Sequence, residues 1–146
     1  RYGDPDASDA DLWRALEIAQ AKAFVSAMPD GLESSIAQGG TNVSGGQRQR
    51  LAIARALVRR PGIYVFDDAF SALDVATDAR LRRALEPVTR EAAVLVVAQR
   101  VATIQNADRI VVLEDGKVVG IGTHDELLVT SPTYQEIVAS QSQVAA

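Results

Sequence analysis

Residues 44–74 read SGGQRQRLAIARALVRRPGIYVFDDAFSALD, and this stretch decides the fold. Ser44 is a good helix N-cap, and Gln47 three residues on completes a capping box. Gly45 and Gly46 carry no Cβ, so a ligand can approach the backbone there. The first amides of a helix lack internal partners and carry partial positive charge, which makes this helix start a candidate phosphate site. Leu51, Ile53, Ala54, Leu57 and Val58 follow at near-helical spacing, Arg59 and Arg60 suit the last turn, and Pro61-Gly62 stops it. Ile63, Tyr64, Val65 and Phe66 then form a continuous apolar run, expected as a parallel strand covered on both faces. Asp67 and Asp68 fall at its carboxyl end, where open α/β sheets bind ligands. A carboxylate at a strand tip beside a phosphate site points to a hard cation, Mg²⁺ first.

A capped helix and a buried strand are each ordinary alone. In this order they resemble the nucleotide-binding domain of an ABC transporter. Asn42-Val43 followed by Ser44-Gly45-Gly46-Gln47 is similar to the signature motif, residues 63–67 to the Walker B strand, and Ser71-Ala72-Leu73-Asp74 to the D-loop. The resemblance implies an α/β, P-loop NTPase-like ABC ATPase core with a mostly parallel sheet, plus part of an α-helical signature subdomain. Residues 1–43 are expected to be that partial subdomain. Residues 44–146 are expected to be the C-terminal part of the core: signature helix, Walker B, D-loop, switch strand, hairpin and last helices.

The 146 residues suffice for a domain with a core. A net charge of −4 argues against a nucleic-acid surface, and the lack of cysteine excludes disulfides and thiolate metal sites. No apolar stretch reaches the roughly 20 residues that span a bilayer, and no signal peptide is expected.

Before the signature, residues 6–11 are acidic and supply helix N-caps. Residues 12–28 read as one or two helices, with Trp13 and Phe24 expected in the core rather than facing a partner, and Pro29-Asp30-Gly31 is a turn. The loop 34–43 is either a plain helix entry or, by the resemblance, the segment that meets the membrane helices. Gln38 stands there in place of a common glutamate. After Asp74, residues 77–86 form an amphipathic helix with Ala79, Leu81, Ala84 and Leu85 inward and Arg80, Arg82 and Arg83 solvated. Residues 92–98 are a second buried strand ending before Gln99. A helical turn spans residues 101–107. Residues 109–113 and 117–121 make a hairpin around Asp115-Gly116. Thr123 caps a further helix, another surrounds residues 134–140, and fraying is expected from Gln141.

The phosphate loop GxxxxGK[ST] is absent; Lys22 and Lys117 are the only lysines, and neither precedes Ser or Thr. The chain therefore reads as the C-terminal part of the domain, a fragment or one whose gap another chain fills. Strands 63–66 and 92–98 should then expose edges and apolar faces.

Two residues depart from the family pattern. Asp68 stands where a glutamate usually activates water, and Gln99 where a switch histidine usually meets the γ-phosphate. The single histidine, His124, lies in a tail motif where it is structural. With an intact signature, this pattern resembles the degenerate half of a heterodimeric exporter. The implied ligands are ATP and Mg²⁺. Asp67 would hold the metal, Asp68 would be a poor base, and Gln99 would contact phosphate without charge. Ser44, Gly45, Gly46 and Gln47 would clamp ATP held by the partner, and Asp74 would line the seam. The implied partners are a second nucleotide-binding domain and a transmembrane domain, with no nucleic acid. The implied place is the cytoplasmic side of the membrane. ATPase activity is expected in the assembly and not in the isolated chain. Two alternatives stay open: a soluble ABC-type ATPase of DNA repair or chromosome structure, and a non-enzymatic interaction module.

Overall fold

The computed structural model describes residues 2–144, with side chains as far as residue 141. Contacts divide the chain into two compact units, Arg1–Leu95 and Val96–Ala146.

The first unit begins with two helices, α1 (Asp9–Ile18) and α2 (Lys22–Ser26). Ser8 caps α1 by accepting from the Asp11 amide. Leu12, Ala15 and Leu16 form the buried stripe of α1, which packs on α3 (Gly45–Val58), whose own buried residues are Ile53, Ala54 and Leu57. Trp13 and Phe24 are half-buried, and the Arg50 guanidinium lies 5.0 Å from the Phe24 ring centre. Between α2 and α3 run two short 3₁₀ turns, Gly31–Glu33 and Gln38–Gly40. The Asn42 side chain ties this loop together, accepting from the Ala37 amide and donating to the Ser35 carbonyl. Gln38 is exposed.

Strand β1 (Ile63–Asp67), helix α4 (Val75–Thr89) and strand β2 (Ala93–Val97) form a strand–helix–strand unit, and β1 pairs with β2. The alternation along β1 is sharp. Tyr64 and Phe66 are buried, whereas Ile63 and Val65 are 67% and 62% exposed. Val94, Leu95 and Val97 of β2 are also exposed. The strands thus have the expected positions but not the expected burial: β1 has one covered face, and no residue of β2 is buried. This is the apolar exposure anticipated for a sheet without its phosphate-loop half. On α4, Leu81 and Leu85 are inward, Ala84 is half-buried and Ala79 is exposed. Arg82 departs from the solvated face assigned to it. Its guanidinium lies 4.4 Å from the Phe70 ring centre, and Nε donates to Asp78 at 2.8 Å. The planar cation stacks on an aromatic face while an i,i+4 carboxylate fixes it.

The second unit has its own core of Val101, Ile110, Val112, Leu127 and Tyr134. Helix α5 (Val101–Ile104) precedes the antiparallel hairpin of β3 (Ile110–Glu114) and β4 (Lys117–Gly122). Asp115 and Gly116 both take positive φ, +48° and +73°, as the predicted two-residue turn requires. A bulge at Val119 shifts the register between Val112 and Leu113. Helix α6 (His124–Thr130) starts with a capping box between Thr123 and Glu126. Helix α7 (Pro132–Val144) continues past Gln141, where fraying was expected; residues 145–146 lie outside the described residues.

Candidate nucleotide-binding site

The start of α3 carries the expected cap. The Ser44 hydroxyl accepts from the Gln47 amide at 3.2 Å, and Gln47 Oε1 accepts from the Ser44 amide at 2.9 Å. The two glycines then separate in role. A Cβ at Gly45 would meet only the Ala72 methyl, at 3.6 Å, so this position keeps an open approach. A Cβ at Gly46 would stand 2.9 Å from the Ala72 carbonyl oxygen, closer than a carbon and a backbone oxygen sit. Gly46 therefore lets the helix start pack on the loop after β1, and Gly45 leaves amides available for an anion.

That loop holds the carboxylates. Asp67 ends β1 and is exposed; Asp68 is exposed with φ +49°. A left-handed backbone is tolerated by aspartate better than by most residues. Three hydrogen bonds from one side chain brace the turn. Gln49 Nε2 donates to the Asp68 carbonyl at 3.0 Å and to the Ser71 hydroxyl at 2.9 Å, and Gln49 Oε1 accepts from the Ala72 amide at 2.9 Å. Ser71 Oγ also donates to the Asp68 carbonyl at 3.0 Å. No local pattern singles out Gln49, because a glutamine on a polar helix position looks like any solvated one.

Asp74 caps α4, accepting from the Thr77 amide at 2.9 Å. Hydrogen bonding from Thr77 holds its carboxyl below the usual carboxylate range. Arg50 closes the back of the helix start, donating from Nε to the Gly46 carbonyl at 3.1 Å and from a terminal nitrogen to the Gln20 carbonyl at 2.7 Å.

In the second unit, Gln99 is exposed. Its carbonyl accepts from Gln141 Nε2 at 2.7 Å, while Gln141 Oε1 accepts from the Val101 amide at 2.8 Å. One amide side chain thus spans residues 99–101 in the way Gln49 spans residues 68–72. His124 Nδ1 is 2.9 Å from the Tyr134 hydroxyl, and Tyr134 is 2% exposed. His124 therefore sits in a packed hydrogen bond within its unit, as a structural histidine does.

No group of three or more metal-binding side chains occurs among the described residues, and none of their helices is long and apolar enough to cross a membrane. A pair of carboxylates at a strand tip still suits Mg²⁺, which takes one or two carboxylates and fills its remaining positions with water and phosphate oxygens.

Residues 8–71 match the family model described as ABC transporter. An "uncharacterized ABC transporter ATP-binding protein" of Mycobacterium tuberculosis is 54% identical over 145 residues, which is 97% of this chain and 25% of that protein. A Lactococcus lactis "multidrug resistance ABC transporter ATP-binding and permease protein" is 42% identical over 144 residues, covering 98% of this chain and 24% of that protein. Among solved structures, a bacterial Atm1-family ABC exporter with ATP bound superposes with a TM-score of 0.91 at 35% identity, over 96% of this chain and 24% of the exporter chain. The chain thus spans about a quarter of the length of the curated relatives it matches. Its mixed α/β arrangement is that of an exporter nucleotide-binding domain with a P-loop NTPase-like core. This chain belongs to the ABC transporter family.

Proposed function

We propose that the chain works as part of an ATP-binding subunit of an ABC exporter, and that its intact signature completes an ATP site held mainly by a partner domain. The observation that carries this reading is the α3 start: a capped helix of 14 residues whose first glycine stays open to approach. An exposed Ser44 beside a glycine with room for a ligand suits a lid over phosphate. Residues 1–43 would belong to the helical signature subdomain and residues 44–146 to the ATPase core.

ATP and Mg²⁺ are the proposed ligands. Bound Mg²⁺ would neutralise charge on the phosphates. Asp67 would hold it, through water or directly. Gly45 and Gly46 would present helix amides to the γ-phosphate and Ser44 its hydroxyl, with Gln47 keeping the turn capped by holding the Ser44 amide. Asp68 would act as a short, poorly reaching base, and Gln99 as a neutral hydrogen-bond donor at the switch position, so the chain's own site turns over slowly. Asp74 would lie at the seam between two nucleotide-binding domains. The proposed assembly is a heterodimer on a transmembrane domain, at the cytoplasmic face of a membrane.

The test is ATP turnover by the complete transporter carrying Gly45→Asp. Aspartate in a first helical turn favours the helix, so lost turnover would report on phosphate rather than on folding. The proposal expects turnover to fall by about 100-fold, the scale of removing a preorganised anion-binding group. Turnover within a factor of two of wild type, about 0.4 kcal/mol in barrier, contradicts a trans-acting signature.

A further inference from the structure

We infer that Gln49 is a positioning residue that couples the signature helix to the Asp68 turn, and that its amide group is what the coupling requires. The inference rests on the proposed role of the signature and names a regulator of that same site.

The geometry uses every functional part of the amide. Both bonds from Nε2 go to the loop, to the Asp68 carbonyl and the Ser71 hydroxyl, and Oε1 takes the Ala72 amide. A carboxamide offers two donors and an acceptor on one planar group. A carboxylate could accept from Ala72 but would face the Asp68 carbonyl with no proton. An ammonium could donate but would leave the Ala72 amide unpaired. The bonded segment is not a plain one. Asp68 has φ +49°, so its carbonyl and carboxylate directions depend on holding a left-handed backbone. Ser71 adds a second bond to the same carbonyl. On the far side, Gly46 lets α3 sit against Ala72, where any Cβ would collide with the carbonyl. Gln49 lies one turn into α3 from the glycine pair. A shift of the 68–72 loop therefore moves the helix start, and a shift of the helix start moves Asp68. The signature and the carboxylate turn behave as one body with Gln49 as its fastener.

The experiment measures kcat and KM for ATP of the complete transporter for wild type, Gln49→Ala and Gln49→Glu, with Gly45→Asp as the control. Gln49→Ala is expected to lower kcat about tenfold and leave KM for ATP within about twofold, because small misplacement costs chemistry rather than uniform binding. Gln49→Glu is nearly isosteric, so it remains informative if Gln49→Ala fails to fold. Ionised, it lacks a donor; protonated, it has one donor and one acceptor. Ionised at neutral pH, Gln49→Glu should likewise lower kcat several-fold and leave KM for ATP within about twofold. Unchanged kcat in both variants, or a changed KM with unchanged kcat, overturns the coupling role. If Gly45→Asp retains full turnover, the proposed function of the signature fails. If Gly45→Asp is inactive while both Gln49 variants match wild type, the coupling alone fails.

Discussion

The two adjacent glycines predict opposite outcomes for one methyl group. Alanine at either position gains the same helix preference over glycine, about 0.5–1 kcal/mol, because both lie in the first turn of α3. The steric consequences differ. At Gly45 the new Cβ meets the Ala72 methyl at 3.6 Å, ordinary van der Waals contact. At Gly46 it meets the Ala72 carbonyl oxygen at 2.9 Å, with Leu73 Cδ2 at 3.6 Å behind it. A backbone carbonyl held by its loop cannot swing aside like a side-chain tip, so overpacking of about 1–3 kcal/mol is expected. Subtracting one variant from the other cancels the shared propensity gain and leaves that steric cost. For a chain of this size about 2 kcal/mol corresponds to roughly 4–8 °C in Tm. Thermal and urea unfolding of wild type, Gly45→Ala and Gly46→Ala measure it. Gly45→Ala should match or slightly exceed wild type, and Gly46→Ala should melt several degrees below Gly45→Ala. Equal midpoints for the two variants would refute the close packing of α3 on the loop.

Further expectations concern the carboxylates and the switch position. Asp74 has its pKa lowered in the folded chain by hydrogen bonding from Thr77, so its charge contributes stability above the unfolded value, about 3.9, that is lost as pH falls through it toward the folded value. The stability gap between wild type and Asp74→Asn should narrow in that acid window, and urea midpoints at several pH values would show a constant gap if the reasoning is wrong. In the complete transporter with the partner's own base disabled, Asp68→Glu should restore only weak hydrolysis, since a base must come within about 3 Å of the proton it takes. Asp68→Glu with Gln99→His should exceed the product of the single effects, and full recovery by Asp68→Glu alone would make Gln99 harmless.

Features whose partners lie within four residues were legible in the sequence. The capping boxes at Ser44 and Thr123 and the Asp115-Gly116 turn form where their local pattern places them. Helix and strand positions along residues 45–67 follow from periodicity and the Pro-Gly stop. Long-range uses of ordinary polar side chains were not legible. Gln49 reaches residues 19 to 23 positions away, and Gln141 reaches back about 40, yet each looks like any solvated glutamine in its helix. Arg82 sat in a run of arginines that reads as a charged face, and only the fold brings Phe70 beneath it. Coverage of β1 was also beyond local reading: an apolar run shows which residues can be buried, while the layer that covers each face comes from elsewhere in a fold. The separate roles of Gly45 and Gly46 follow the same rule, since the difference lies in where Ala72 stands.

In the proposed assembly the Ser44–Gln47 turn acts on nucleotide held by another domain. Photolabelling of the complete transporter with a radioactive azido-ATP, under turnover and with vanadate, measures which polypeptide retains nucleotide. Gly45→Asp is expected to remove trapped label from the partner domain and to leave basal label on this chain's own domain unchanged. Loss of label from this chain's domain, with the partner's trapping intact, would contradict it.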